Sequence, residues 1–440
     1  MKTFKQILLA LLSGAMLLSY AGCAGEVSTS EESDEEISAA DEEEAADEEA
    51  GDAQLNIEDI DYYTRFRNDH ISLNVFNWGE YISDGADEGT LDVNLEFEKL
   101  TGIKVNYTNF SSNEELYAKM HDGAVSYDII IPSDYMIAKL IKEGMIQKLD
   151  YSNIPNYRYI MDNVRGLEYD PNEEYSVPYT WGTVVLIYNK EVVGIEEDDI
   201  DWDILWNEDY RDDILMFDNE RDAFAIAQIM QGISVNSEDP EELQRAADFL
   251  KEQKPLVQAY VMDEVFDKME GGEATIAPYY IGDALTITAA NEDLTYAIPK
   301  SGTNLFVDAM CIPSNAKQKE AAEMYINFMN EPDIAFANID YICYATPNSA
   351  AYEMLDDEVR DNPLLYPDEE LIREKTQVFS NLSDEATELK KRLWIEMKST
   401  EDENSNIWLV PVFIIISLIF VAVIQTGRHI KTKRENAQAQ

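Results

Sequence analysis

Short β-rich runs that alternate with amphipathic helical stretches across residues 72–400 predict an α/β protein of two lobes. The alternation argues for strands layered against helices. The alternating body runs to about 330 residues, more than one core ordinarily holds. No internal repeat breaks the order. The strands expected are 73–77, 104–110, 128–132, 183–189, 214–217, 275–278, 295–299 and 309–313. The helices expected are 91–101, 113–121, 133–143, 221–232, 240–253, 262–271, 317–330, 334–339 and 384–399. Punctuation supports them. Ser133 follows the apolar run 129–131 and Pro132, and is placed to cap a helix. Ser112 or Asn113 caps the helix before it, and Glu114 and Glu115 in its first turn suit the helix dipole.

The flanks read differently. Residues 1–22 carry Lys2 and Lys5 and then an apolar run, the order of an export signal peptide. Ala21-Gly22-Cys23 resembles a lipobox, which makes Cys23 a lipidation site, although Tyr20 stands where Leu is usual. An uncleaved signal anchor is the alternative. Residues 23–70 read as an acidic disordered linker, because 26–52 hold fourteen acids, no base and no aromatic residue. Residues 407–426 are apolar without a charge and long enough, at about 30 Å, to form a transmembrane helix. Arg428, Lys431, Lys433 and Arg434 follow, which puts a tail of 427–440 in the cytoplasm and the body outside. A buried core helix is the alternative for that run.

The net charge is −55, and most of it belongs to the body. Such a protein does not bind nucleic acid. It attracts small cations, or its acidity only keeps an exported protein soluble; charge alone leaves both open. Enzyme chemistry finds no foothold. The three histidines, His70, His121 and His429, have no partner signature, and GxSxG, GxGxxG, P-loop, HExxH and CxxC motifs are absent. Paired carboxylates could serve a glycosidase, but nothing specific points there. No cofactor or metal is expected. Cys311 and Cys343 either pair or remain free thiols.

Several long segments then match one family in order: FNWGEY (76–81), TGIKVNYTNFSSNEELYAKMHDGAVSYDIIIPSDYMIAKLIKEGMIQKLD (101–150), YSVPYTWGTVVLIYN (175–189), MFDNERDAF (216–224), APYYIGDA (277–284), VDAMCIPSNAK (307–317) and ICYATPNSAAYEML (342–355). Together they resemble the spermidine/putrescine-binding receptors of ABC transporters. The resemblance covers essentially all of 72–398. It implies a type II periplasmic-binding-protein fold with crossovers near 179–183, 303–307 and 344–348. Lobe one is then 72–180 plus 308–345, and lobe two 184–303 plus 349–399. It also implies a polyamine ligand in the interlobe cleft, permease and ATPase subunits as partners, and a domain on the outer face of the cell membrane.

A polyamine sets its own requirements. Each ammonium needs a charge partner when water leaves. Its methylenes need apolar walls, and aromatic faces also attract the charge. On lobe one the resemblance assigns Trp78 and Tyr81, then Ser133 and Tyr135, Asp308 for a central ammonium, Phe306 where Trp is frequent, and Tyr344. On lobe two it assigns Asp222 where a Glu holds a terminal ammonium, and Tyr280 where Trp is frequent. Two positions depart from the pattern: Asn219 replaces a second acid, and Gly79 replaces Thr. Asp218 or Glu220 is a neighbour that could compensate, and Asp283 is a further cleft acid. Asp134 reads as a solvated first-turn acid. The plainer readings make Trp78, Tyr81 and Tyr280 core aromatics, and Asp222 a helix cap or a partner of Arg221. Two other functions stay open: the same fold with another amine or an amino acid derivative, and a membrane-anchored sensor, for which the tail is too short to hold a signalling domain.

Overall fold

The computed structural model describes residues 55–399 apart from 88 and 124. Among them, ten strands join in one sheet of order β2-β1-β3-β9-β4-β7-β5-β6, with β10 on β9 and β8 on β4. In one half, β1 (Ser72–Trp78) lies parallel to both β2 (Lys104–Phe110) and β3 (Ile129–Ile130). In the other, β5 (Ile214–Phe217) lies parallel to β6 (Val257–Val261) and β7 (Ile276–Tyr280). Helices follow β1, β2, β3, β5, β6 and β7, as parallel strands require.

Two long strands join the halves. β4 (Ser176–Asn189) and β9 (Thr303–Cys311) run antiparallel, with Gly182 opposite Phe306 and Thr180 opposite Asp308. β4 then continues into the second half, where it pairs with β7 and with β8 (Leu294–Ala297). β9 meets β3 at one end and β10 (Thr376–Val378) at the other. All of β9 and thirteen residues of β4 are buried, which explains their near-continuous apolar sequence. Pro178 lacks an N–H to donate, and the register shifts between Pro178 and Thr180.

The sequence reading differs from this structure in definite places. β4 begins at Ser176 rather than 183, because burial carries Pro178 and Gly182 through a strand their propensities oppose, and β9, which pairs with it, covers Thr303–Cys311 rather than 309–313. The edge strands β6 and β10 were not expected, nor was the helix Ile281–Ala290, whose IGDALTITAA is rich in residues that favour other structures. Ser112 does cap its helix, accepting from the Glu115 N–H at 3.1 Å. Ser133 sits at an N-cap without making the cap bond, and its hydroxyl instead accepts from the Asn113 amide at 3.0 Å.

The linker assigned to 23–70 is corrected at its far end. Residues 55–70 are part of the folded body. Asp59 caps a short helix, Ile60–Thr64, and Tyr63 inside it is fully buried. The Tyr63 ring meets Phe328 edge-on at 5.8 Å, and its hydroxyl donates to Glu331 at 2.7 Å. Acid-rich composition up to residue 52 hid an aromatic anchor that follows it. The signal peptide, Cys23, the rest of the linker, the transmembrane run 407–426 and the tail lie outside the described residues. Among the described residues no helix is long and apolar enough to cross a membrane. Cys311 and Cys343 are free thiols.

Candidate functional site

A cleft of about 640 Å³, partly open to solvent, lies where β4 and β9 join the two halves. Trp78, Tyr81, Ser133, Tyr135, Asn219, Asp222, Tyr280, Phe306, Asp308 and Tyr344 all line it, so the structure brings these ten candidate ligand-binding residues together. Backbone geometry explains why. Trp78 and Tyr280 end β1 and β7, while Ser133 and Asn219 follow the ends of β3 and β5 at helix starts. In open α/β sheets, ligand groups collect beyond the carboxyl ends of the strands. Phe306 and Asp308 sit two apart on β9 and share a face. Two residues in the left-handed region precede cleft tyrosines: Glu80 (φ 45°) before Tyr81, and Cys343 (φ 60°) before Tyr344.

Three cleft carboxylates, Asp308 and Asp222 buried and Asp283 half-buried, each take a tyrosine hydroxyl. Tyr81 donates to Asp308 Oδ2, Tyr280 to Asp222 Oδ2 and Tyr344 to Asp283 Oδ2, each at 2.8 Å. The tyrosine rings form the walls. Tyr280 lies 5.4 Å from Phe306, Phe306 lies 6.2 Å from Tyr344, and Tyr344 lies 4.8 Å from Tyr81. Trp78 packs at 4.5 Å on Phe110, and its indole N–H donates to the Ile131 carbonyl at 3.0 Å. Gly282 makes the Tyr344 contact possible, since a Cβ there would lie 2.1 Å from that ring.

Burial raises the acids of this cleft. Asp308 is pushed up to about 6, with the Ser133 and Tyr81 hydroxyls opposing the shift. Asp222 is pushed up to about 7, partly held down by the Tyr280 hydroxyl. Asp283 is pushed up to about 8, with the Tyr344 hydroxyl opposing and the Asp263 charge adding. Asp308 Oδ1 has no hydrogen-bond partner among the described residues, although the side chain is 4 % exposed. A buried acceptor without a donor is costly, and a positively charged N–H donor is the group that would satisfy both the acceptor and the charge.

Neighbouring expectations are resolved by the contacts. Asn219, not Asp222, caps the helix Glu220–Met230, accepting from the Arg221 N–H at 2.9 Å and the Asp222 N–H at 3.4 Å. That bond commits the Asn219 side-chain oxygen. Arg221 turns from Asp222 to the Ser380 carbonyl at 2.8 Å, and its guanidinium lies over Tyr135 and Phe379 at 4.8 and 4.5 Å. Neither Asp218 nor Glu220 lines the cleft; Asp218 is bound by Lys398 instead. Asp134 is not solvated but fully buried, accepting from the backbone N–H of Tyr135 at 2.6 Å and of Val307 at 3.3 Å. It ties a helix start to the joining strand, and burial pushes it up to about 8. Asp263, Asn304, Met262, Asn113 and Phe379 also line the cleft and were missed. Asp263 was concealed by reading 262–271 as one helix, which in fact starts at Val265.

Comparison with known proteins agrees with this geometry. Residues 95–367 match the family model for bacterial extracellular solute-binding proteins. The spermidine/putrescine-binding periplasmic protein of Escherichia coli is 37% identical over 308 residues, covering 69% of this chain and 86% of that protein. The chain belongs to the spermidine/putrescine-binding protein family. The Salmonella typhimurium member of that family is likewise 37% identical, over 313 residues, 69% of this chain and 85% of that one. A solved structure described as a putative spermidine/putrescine ABC transporter from Listeria monocytogenes superimposes with a TM-score of 0.70 at 36% identity, covering 74% of this chain and 99% of that one. A substrate-binding protein of a spermidine/putrescine ABC transporter from Streptococcus pneumoniae gives 0.63 at 34%, covering 74% and 98%. Members of the spermidine/putrescine-binding family are binding components of transporters; this chain is a solute-binding protein and not an enzyme.

Proposed function

We propose that this protein captures polyamines such as spermidine and putrescine outside the cytoplasm and delivers them to an ABC transporter. The observation that carries the reading is the set of three carboxylates, the buried Asp222 and Asp308 and the half-buried Asp283, each steadied by a tyrosine in an aromatic-walled cleft. Ammonium groups neutralise the acids, and the rings take the methylenes, each cation–ring contact contributing about 0.5–2 kcal/mol. An anionic ligand would meet only like charge there. Trp78, Tyr81, Tyr135, Tyr280, Phe306 and Tyr344 form the walls; Asp222 and Asp308 hold ammoniums; Ser133 and Asn219 position the groups beside them.

Lobe one (72–180 plus 308–345) and lobe two (184–303 plus 349–399) close over the ligand by bending where β4 and β9 join them. The closed receptor docks on permease subunits driven by an ATPase. Residues 1–22 act as an export signal, Cys23 carries lipid, and 407–426 span the membrane with 427–440 inside. The acidic segment 26–52 spaces the body from the membrane surface.

Calorimetric titration of the purified chain with putrescine, spermidine and glutamate tests the reading. Saturable heat with the amines and none with glutamate is expected. A folded sample that gives no heat with any amine refutes the polyamine assignment.

A further inference from the structure

Gly79 and Asp263 meet across the cleft. A Cβ on Gly79 would lie 2.3 Å from Asp263 Oδ2, so the carboxylate occupies the space that any side chain at 79 would fill. Gly79 follows β1 in one half of the sheet, and Asp263 follows β6 in the other. Position 79 is also where the family pattern carries Thr. Here an acid from the second half fills the space beside that position.

The surroundings of Asp263 make this contact a matter of ligand charge. The cleft acids divide into two groups by their neighbours: Asp222 feels the charges of Glu114, Arg221 and Asp308, whereas Asp283 feels those of Asp263 and Glu80. At the first group one acid is missing, because Asn219 stands there with its oxygen bound to a helix start. At the second group one acid has been added. Polar atoms in the same cleft await a donor: Asn304 Oδ1 and Asp308 Oδ1 have no partner among the described residues, at 3 % and 4 % side-chain exposure. Asp263 is exposed at the cleft mouth and Asp283 is half-buried, and their like charges repel each other until a cation joins them.

We propose that Asp263 is a specificity-determining residue: admitted by the bare Gly79, its carboxylate holds the third ammonium of a triamine, while Asp222 and Asp308 hold the other two. The inference rests on the polyamine reading above. A diamine satisfies Asp222 and Asp308 and leaves Asp263 and Asp283 without a cation. A triamine neutralises both groups, and the protein prefers it.

Titration of the full chain with putrescine and spermidine tests this. Asp263→Asn removes the charge at constant shape. It should lower spermidine affinity about tenfold or more and leave putrescine affinity within about twofold. Gly79→Ala should do the same by displacing the carboxylate, and should have no further effect in an Asp263→Ala background, because the clashing group is gone. Retained putrescine binding shows that each variant is folded. Equal loss for both ligands, no loss for spermidine, or additive effects of Gly79→Ala and Asp263→Ala would overturn the proposal. Wild-type protein that binds neither amine would remove the polyamine reading itself, a result distinct from those three.

Discussion

Lowering the pH from 8 to 6 should weaken putrescine binding by roughly ten- to twentyfold, through Asp222 and Asp308 alone. The free cleft holds Asp222 at about 7 and Asp308 at about 6 because burial penalises their charge. An ammonium seated beside each returns it to the ionised form, so binding expels whatever protons the free protein carries. The sign follows. Below the raised values the free protein is protonated and the complex is not, so affinity falls as pH falls. At pH 8 both acids are mostly charged, and almost no proton has to leave. At pH 6 Asp222 is mostly protonated and Asp308 about half, which gives the stated factor, about 1.4–1.8 kcal/mol. The amine does not confuse the result, since alkyl ammoniums near the lysine value of about 10.4 stay charged throughout. Calorimetry at pH 6 and pH 8, in buffers of different ionisation enthalpy, counts the protons. About 1.4 protons should be released at pH 6 and close to none at pH 8. The ligand-induced rise in Tm should likewise grow with pH. An affinity constant within about twofold across this range, with buffer-independent heats, would show that the cleft acids are charged before the ligand arrives.

Asp308→Asn keeps an acceptor for the Tyr81 hydroxyl but removes the buried charge, so amine affinity should fall about tenfold or more while the Tm of the free protein does not drop. Calorimetry and thermal melting read the two effects separately. Gly282→Ala puts a Cβ 2.1 Å from the Tyr344 ring and should dislodge it from Asp283. Amine affinity should fall about tenfold, at a stability cost of about 1–3 kcal/mol in urea unfolding. Tyr63→Ala should cost about 3–5 kcal/mol in the same measurement, because it empties a fully buried site on Phe328 and strips Glu331 of its hydroxyl donor. Unchanged stability would return residues 55–70 to the linker.

What the sequence made legible was whatever depended on local pattern or on the family motif. β2 and β5 came out to the residue, as did the helices Pro240–Gln253 and Asp384–Ser399, because strand and helix periods are strong there. The ten cleft residues came from the motif and converge on one cavity. The losses have physical causes. β4 carries both Pro178 and Gly182 in a strand that only tertiary burial stabilises. Asp134 sits in a first helical turn like any solvated acid, and only the return of β9 past it supplies the Val307 N–H that makes it a buried tie. Asp263 lies on a loop behind an edge strand of half-buried residues, and its meaning depends on the absent side chain of Gly79 in the opposite half. Neither residue alone carries that signal.

The net charge of −55 left two meanings open, and the structure separates them. Exposed acids interact with a passing cation through water and salt, over a range of about 8–10 Å, and bind it weakly. The half-buried helix acids Glu96, Glu98 and Glu115 are already paired, each bridged to a lysine at 2.5–2.7 Å. The cleft acids differ in kind. Asp222, Asp283 and Asp308 have tyrosine hydroxyls rather than cations on one oxygen, and burial has raised all three toward neutrality. A tyrosine orients a carboxylate without neutralising it. Among the described residues the cleft lining holds these acids and no lysine or arginine, and a flexible polycation whose charges are spaced by methylenes suits both the acids and the rings between them. Selectivity of this kind lies in a few dehydrated carboxylates, and the acidic exterior contributes solubility and attraction at a distance.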